Sequence, residues 1–199
     1  MERRAFFPAL AGLGLFSATP QSVPGGDPLR PFYLPPNPEP LVAGPTGMSI
    51  RTWVRQSQTN GQFSSVEFAV GPRVMGPAPH IHAELDELMF VAEGTVSVLV
   101  GEEVYQVAAG GWHLRPHGLV HTFWNATDQP ARAFDFYFQQ PFEEYLEAVF
   151  HTFPREAQAK GLTMAAPEFQ QKRRDLARHF KMESFPEKRA ALVTAHGLN

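Results

Sequence analysis

Four side chains near the middle of the sequence have the types and spacing to hold a metal ion: His80, His82, Glu87 and His121. Residues two apart on an extended chain point to the same face, so His80 and His82 present two imidazoles from one strand. The four residues after His82 can reverse the chain, which predicts that Glu87 returns beside the pair on a second strand. His121 follows the Pro116-His117-Gly118 turn and opens a Thr122-Phe123-Trp124 run, from which a third imidazole is supplied. Three neutral imidazoles and one carboxylate form a mixed nitrogen and oxygen shell. It suits one divalent transition metal ion, whether iron, manganese, nickel, copper, cobalt or zinc. Four protein ligands leave one or two positions open on a five- or six-coordinate ion, as catalysis requires. Glu87 has a second role open to it as the catalytic general base, because a carboxylate beside a cation can exchange ligation for proton transfer.

These residues sit inside a longer pattern. Gly110, Pro116, Gly118, His121 and Asn125 follow the order Gly, five residues, Pro-x-Gly, two residues, His, three residues, Asn. His80, His82, Glu87 and Gly94 follow the order His-x-His, four residues, Glu, six residues, Gly. Both stretches resemble the two motifs of the cupin superfamily. One position departs: the family has Gly six residues before the first His, and here that residue is Val74. The Pro31-Phe-Tyr-Leu-Pro-Pro stretch, the Pro79-His-Ile-His motif and the Pro141-Phe-Glu-Glu-Tyr segment together resemble single-domain cupins of type 2, those described as quercetin 2,3-dioxygenase-like. The resemblance implies a metal-dependent dioxygenase acting on a small enolisable or phenolic, flavonol-like substrate. Met89, Val91 and Phe123, which share strand faces with Glu87 and His121, would then form an apolar wall. Two alternatives stand beside it: a non-oxidative isomerase or other Lewis-acid enzyme, and a non-catalytic module that binds a small ligand or metal.

The elements that must position these residues are mostly strands. From Met48 onward short alternating runs follow one another, with Ile50, Thr52 and Val54 on one face, then Val66, Phe68 and Val70, then Val96, Val98 and Val100. Phe134, Phe136 and Phe138 share a face in the last run. Turns rich in Gly, Pro and Asn separate them, Thr59-Asn60-Gly61 being a hairpin signal. The expected fold class is all-β, a double-stranded β-helix or jelly-roll cupin barrel over residues 48–140, with a C-terminal helical extension over 141–185. In that extension Phe142, Tyr145, Leu146, Val149, Phe150 and Phe153 recur at helical spacing, and a second, more charged helix starts at Pro167 and ends near Met182. Residues 186–199 read as a tail.

Before the barrel, residues 20–47 contain nine prolines and read as an extended arm, docked from about residue 28. Residues 1–19 resemble a twin-arginine export signal, with Arg3-Arg4 ahead of Phe6 and Phe7 and an apolar run. That reading places the protein in the periplasm or outside the cell; without it the location is cytoplasmic. The apolar run is too short to span a bilayer, so no membrane span is expected in the mature chain. A net charge of −3 and a pI near 6.2, with no basic cluster, argue against a nucleic-acid partner. The absence of cysteine excludes thiolate ligands and thiol nucleophiles. The expected partners are a small-molecule substrate and a second copy of the chain in a homodimer. His117, at the centre of its turn, is read as facing solvent, and His113 as a partly buried, satisfied histidine.

Overall fold

The computed structural model describes residues 28–199; the export-signal reading lies outside the described residues. Ten strands run as β1 (Met48–Val54), β2 (Phe63–Val70), β3 (His80–His82), β4 (Asp86–Glu93), β5 (Thr95–Val100), β6 (Glu103–Ala108), β7 (Trp112–Arg115), β8 (His121–Trp124), β9 (Ala131–Phe138) and β10 (Met182–Ser184). Four α-helices, α1 (Phe142–Glu147), α2 (Phe153–Ala159), α3 (Pro167–His179) and α4 (Arg189–His196), occupy the C-terminal part. The strands form two five-stranded sheets, ordered β1-β2-β9-β4-β7 and β10-β3-β8-β5-β6, and every pairing is antiparallel. The architecture is a cupin-like two-sheet β-sandwich with C-terminal helices, a mixed fold where the sequence suggested an all-β one.

The core lies between the sheets. Val66, Phe68 and Val70 of β2, Met89 and Val91 of β4, Val96 and Val98 of β5 and Phe123 of β8 are all buried there. Period-two alternation explains these faces, since one side of each strand meets the opposite sheet. Two strands carry the alternation the other way round. On β9, Ala131, Ala133, Asp135 and Tyr137 point inward and are buried, while Arg132, Phe134, Phe136 and Phe138 are half-buried on the outer face. On β7, Arg115 is buried, whereas Trp112 and Leu114 are 56% and 55% exposed.

The helical part is bound to the barrel more closely than an appended extension would be. The segment 148–152 between α1 and α2 is a π-turn, placed where Pro154 lacks the amide that a regular helical ladder needs from that position. Helix α3 stops at His179, short of the expected end near Met182, and Met182–Ser184 becomes β10, paired with the histidine-bearing strand β3 in the register Met182 opposite His82 and Ser184 opposite His80. Residues 186–199 are not a tail: a 3-10 turn leads into α4, Leu198 is buried against Met75 and Trp124, and the His196 ring lies 4.5 Å from that of Trp124. In the arm, the Glu39 carbonyl accepts from Arg51 Nη2 at 3.0 Å, but Phe32 and Tyr33 remain 50% and 80% exposed. Docking of the arm is therefore confined to its later residues. No helix among the described residues is long and apolar enough to cross a membrane.

Candidate metal centre

The four side chains singled out by spacing do converge. His80, His82, Glu87 and His121 each offer a ligand atom, these atoms lie within 4.8 Å of one another, and all four residues are buried. The route differs from the expected hairpin. β3 and β4 belong to opposite sheets, so Glu87 meets the imidazoles across the sandwich interior and not from a neighbouring strand. His80 and His121 are register partners on β3 and β8.

The imidazoles are prepared for ligation. His80 Nδ1 lies 2.9 Å from the Ala78 carbonyl and His121 Nδ1 lies 3.0 Å from that of Leu119. A carbonyl only accepts, so each Nδ1 carries the proton and each Nε2 keeps a free lone pair. His82 Nε2 and His121 Nε2 stand 3.2 and 3.4 Å from the two oxygens of Glu87. Neither contact is aligned as a hydrogen bond, and both nitrogens are buried without a partner. Buried polar atoms are rarely left so, because desolvation without a partner costs about 1–3 kcal/mol each. Lone pairs that approach one centre without bonding to one another fit a cation, and the donor set fits a divalent transition metal. Burial, with a smaller push from the neighbouring His121, lowers the His80 pKa to about 3, which keeps this ring neutral and able to ligate at neutral pH.

Behind the cluster lies an ionic network that the sequence reading missed. Arg115, 1% exposed, places Nη2 3.0 Å from Glu87 Oε2 and also donates to Asp135 Oδ1. Tyr137 donates to Asp135 Oδ2 at 3.2 Å. Burial alone would raise the Glu87 pKa, but the Arg115 charge opposes it, and the carboxyl ends well below its ordinary value. Burial raises Asp135 despite the same guanidinium, and it carries Tyr137 well above the ordinary phenol range. The available signal was the reversed alternation on β7 and β9, where apolar residues flank a charged one.

On the other side the cap closes over the cluster. The Phe142 ring meets His82 edge-on, with centroids 4.9 Å apart, and stacks on Tyr145 at 4.9 Å, while Phe180 packs against both. Met89, Val91 and Phe123, the expected apolar wall, are buried in the core on the strands that carry Glu87 and His121. His117 stays outside the cluster, half-exposed and hydrogen-bonded through its ring and its amide to Asp86. His113 lies beside Tyr105, with ring centroids 4.7 Å apart, and its Nδ1 is buried without a partner, so it is not satisfied as expected. Asn125 acts in the scaffold: its amide donates to the carbonyls of Gly71 and Gln129, and its oxygen accepts from Thr127. Val74, at the departing position, is not in left-handed backbone, which here falls on the neighbouring Arg73, at φ 58°.

No curated protein matches the sequence. Among solved structures the chain is similar to KdgF from a Halomonas species, at 16% identity over 49% of this chain and 84% of that one, with a TM-score of 0.44. It is similar to an oxalate oxidase at 24% identity, over 50% of this chain and 55% of that one, with a TM-score of 0.42. A sugar phosphate isomerase of the cupin superfamily from Silicibacter pomeroyi is 26% identical over 48% of this chain and 61% of that one, with a TM-score of 0.40. A family model described as Cupin domain matches residues 66–137. That segment holds all four converging side chains together with Arg115, Asp135 and Tyr137.

Proposed function

We propose that the protein is a metal-dependent dioxygenase for a small enolisable or phenolic, flavonol-like compound, with His80, His82, Glu87 and His121 as the ligands. The observation that carries this reading is the buried cluster of three histidines and a carboxylate, closed by aromatic and aliphatic side chains. A divalent transition metal bound there supplies a Lewis-acidic centre for an enolate or phenolate oxygen and, when redox-active, a partner for dioxygen. The chain's own residues do the rest. Phe142, Tyr145 and Phe123 surround the cluster with buried aromatic surface of the kind an aromatic substrate packs against, and exclude water. The Glu87 carboxylate could serve as ligand or base, and its ion pair with Arg115 favours the ligand role, since a cation at 3.0 Å lowers its basicity.

The proposal extends to a homodimer. Among the described residues β7 is the outer strand of its sheet, and its outer face is apolar. A second copy supplies the matching edge by two-fold symmetry. Periplasmic location rests on the Arg3-Arg4-Ala5-Phe6 sequence alone.

Elemental analysis of the purified protein, followed by oxygen uptake with flavonols, tests the assignment. About one redox-active ion per chain and uptake that His121→Ala abolishes are the expected results. Metal without oxygen uptake from any enolisable compound would favour the Lewis-acid alternative. No metal, even after reconstitution, would overturn the centre.

A further inference from the structure

We propose that Arg115 is a positioning residue that clamps Glu87 by one oxygen, so that the carboxylate serves as a fixed, one-oxygen ligand and cannot swing away from the metal. This inference rests on the metal-centre reading above and concerns how the fourth ligand is held. Glu87 on β4 faces Arg115 on one neighbouring strand and Tyr137 on the other. Arg115 Nη2 meets Oε2 at 3.0 Å, closer than His121 Nε2 at 3.4 Å, while Oε1 lies toward His82, 3.2 Å from its Nε2. The guanidinium is itself immobilised by Asp135, whose second oxygen takes the Tyr137 hydroxyl, and by the Phe123 ring, 5.8 Å from its central carbon. Every member of this chain is at least nine-tenths buried, so no water competes for Oε2.

Stability is a poor reason for such a network. Apolar residues of similar volume often serve a core as well as a buried ion pair does, because desolvation offsets the Coulomb gain. Two carboxylates sharing one guanidinium also leave one negative charge in excess, which a cation among the histidines would balance. The geometry has a use at the oxygen level. A carboxylate free at both oxygens can chelate an ion or shift between modes. With Oε2 drawn towards a rigid cation, Oε1 is the oxygen with no competing charge, and one-oxygen ligation leaves a coordination position open for substrate.

Cobalt(II) reports this directly, because its visible absorption weakens as coordination number rises. The full chain would be loaded with Co²⁺ as wild type, as Arg115→Lys, and as the charge-neutral pair Arg115→Gln/Asp135→Asn, which removes the Asp135 carboxylate together with its guanidinium and leaves Glu87 to the metal alone. All three are expected to bind Co²⁺. The paired variant should lose about twofold or more in absorption, as Oε2 is released to chelate. Arg115→Lys, whose ammonium rotates freely on a flexible stem and so holds Oε2 less rigidly than a planar guanidinium, should fall between them and serves alone if the paired variant does not fold. Spectra from the variants that superpose on wild type would overturn the clamp. Absence of Co²⁺ uptake by the wild type is a distinct result, one that overturns the metal centre and the clamp together.

Discussion

At the scale of single residues, one imidazole of the cluster, His80, is held neutral by burial. His80 has a pKa of about 3 in the fold, with burial the main cause, against about 6.5 for an unperturbed histidine. The unfolded chain therefore binds a proton at this position more readily than the folded one. The sign follows from linkage: the contribution of neutral His80 to stability is intact above about pH 6.5 and is lost as the pH falls towards about 3. Urea midpoints of the metal-free protein should decline across that interval. His80→Gln should flatten part of the decline, and an unchanged slope in that variant would assign the acid sensitivity to other groups. Arg115 makes the complementary point about charge. A residue type that is rarely buried becomes fixed here because two inward carboxylates meet it.

At the scale of elements, the glycines of the two motifs show what the pattern specifies. Gly94 and Gly118 both have left-handed backbone, with φ of 73° and 76°, but their surroundings differ. A Cβ on Gly94 would lie 2.7 Å from the Pro130 carbonyl oxygen, whereas one on Gly118 would meet nothing within 4 Å. Gly118→Ala should therefore cost only backbone strain, about 1–2 kcal/mol. Gly94→Ala should cost about 3 kcal/mol, because the backbone of the neighbouring strand must also move. Urea unfolding of the two variants compares them, and equal losses would mean that the strand shifts freely.

The same elements show how much was legible in advance. His80, His82, Glu87 and His121 could be read because a two-residue spacing and a fixed motif place ligands on known faces. Their arrangement across two sheets could not be read, since a short connection at 83–85 serves a hairpin or a crossing equally well. Arg115, Asp135 and Tyr137 escaped because their strands invert the usual rule, with aromatic residues outside and polar residues within. Met182–Ser184 escaped because three residues carry too little period to separate a strand from a fraying helix end. Leu198, near the chain end, gave no periodic signal, and only tertiary contact with Met75 and Trp124 reveals its burial.

At the scale of the whole molecule, that inversion links the interior to the surface. Placing Asp135 and Tyr137 inside on β9 and Arg115 inside on β7 builds the ionic support for Glu87. It also turns Phe134, Phe136, Trp112 and Leu114 outward, where the Phe90 ring packs tilted against Trp112 with centroids 4.6 Å apart. An outer sheet face of this composition, ending at the outer strand β7, is costly to leave in water. The proposed homodimer covers it without any further element. Trp112→Glu/Leu114→Glu replaces two side chains that are more than half exposed, so the fold should tolerate the change. Sedimentation velocity should show a dimer for the wild type and a monomer for the variant, with metal content unchanged because neither residue touches the cluster. A wild-type monomer at micromolar concentration would remove the second copy as the occupant of this face. A dimer that survives both charges would place the interface elsewhere, and the inverted strands would then serve the metal centre alone.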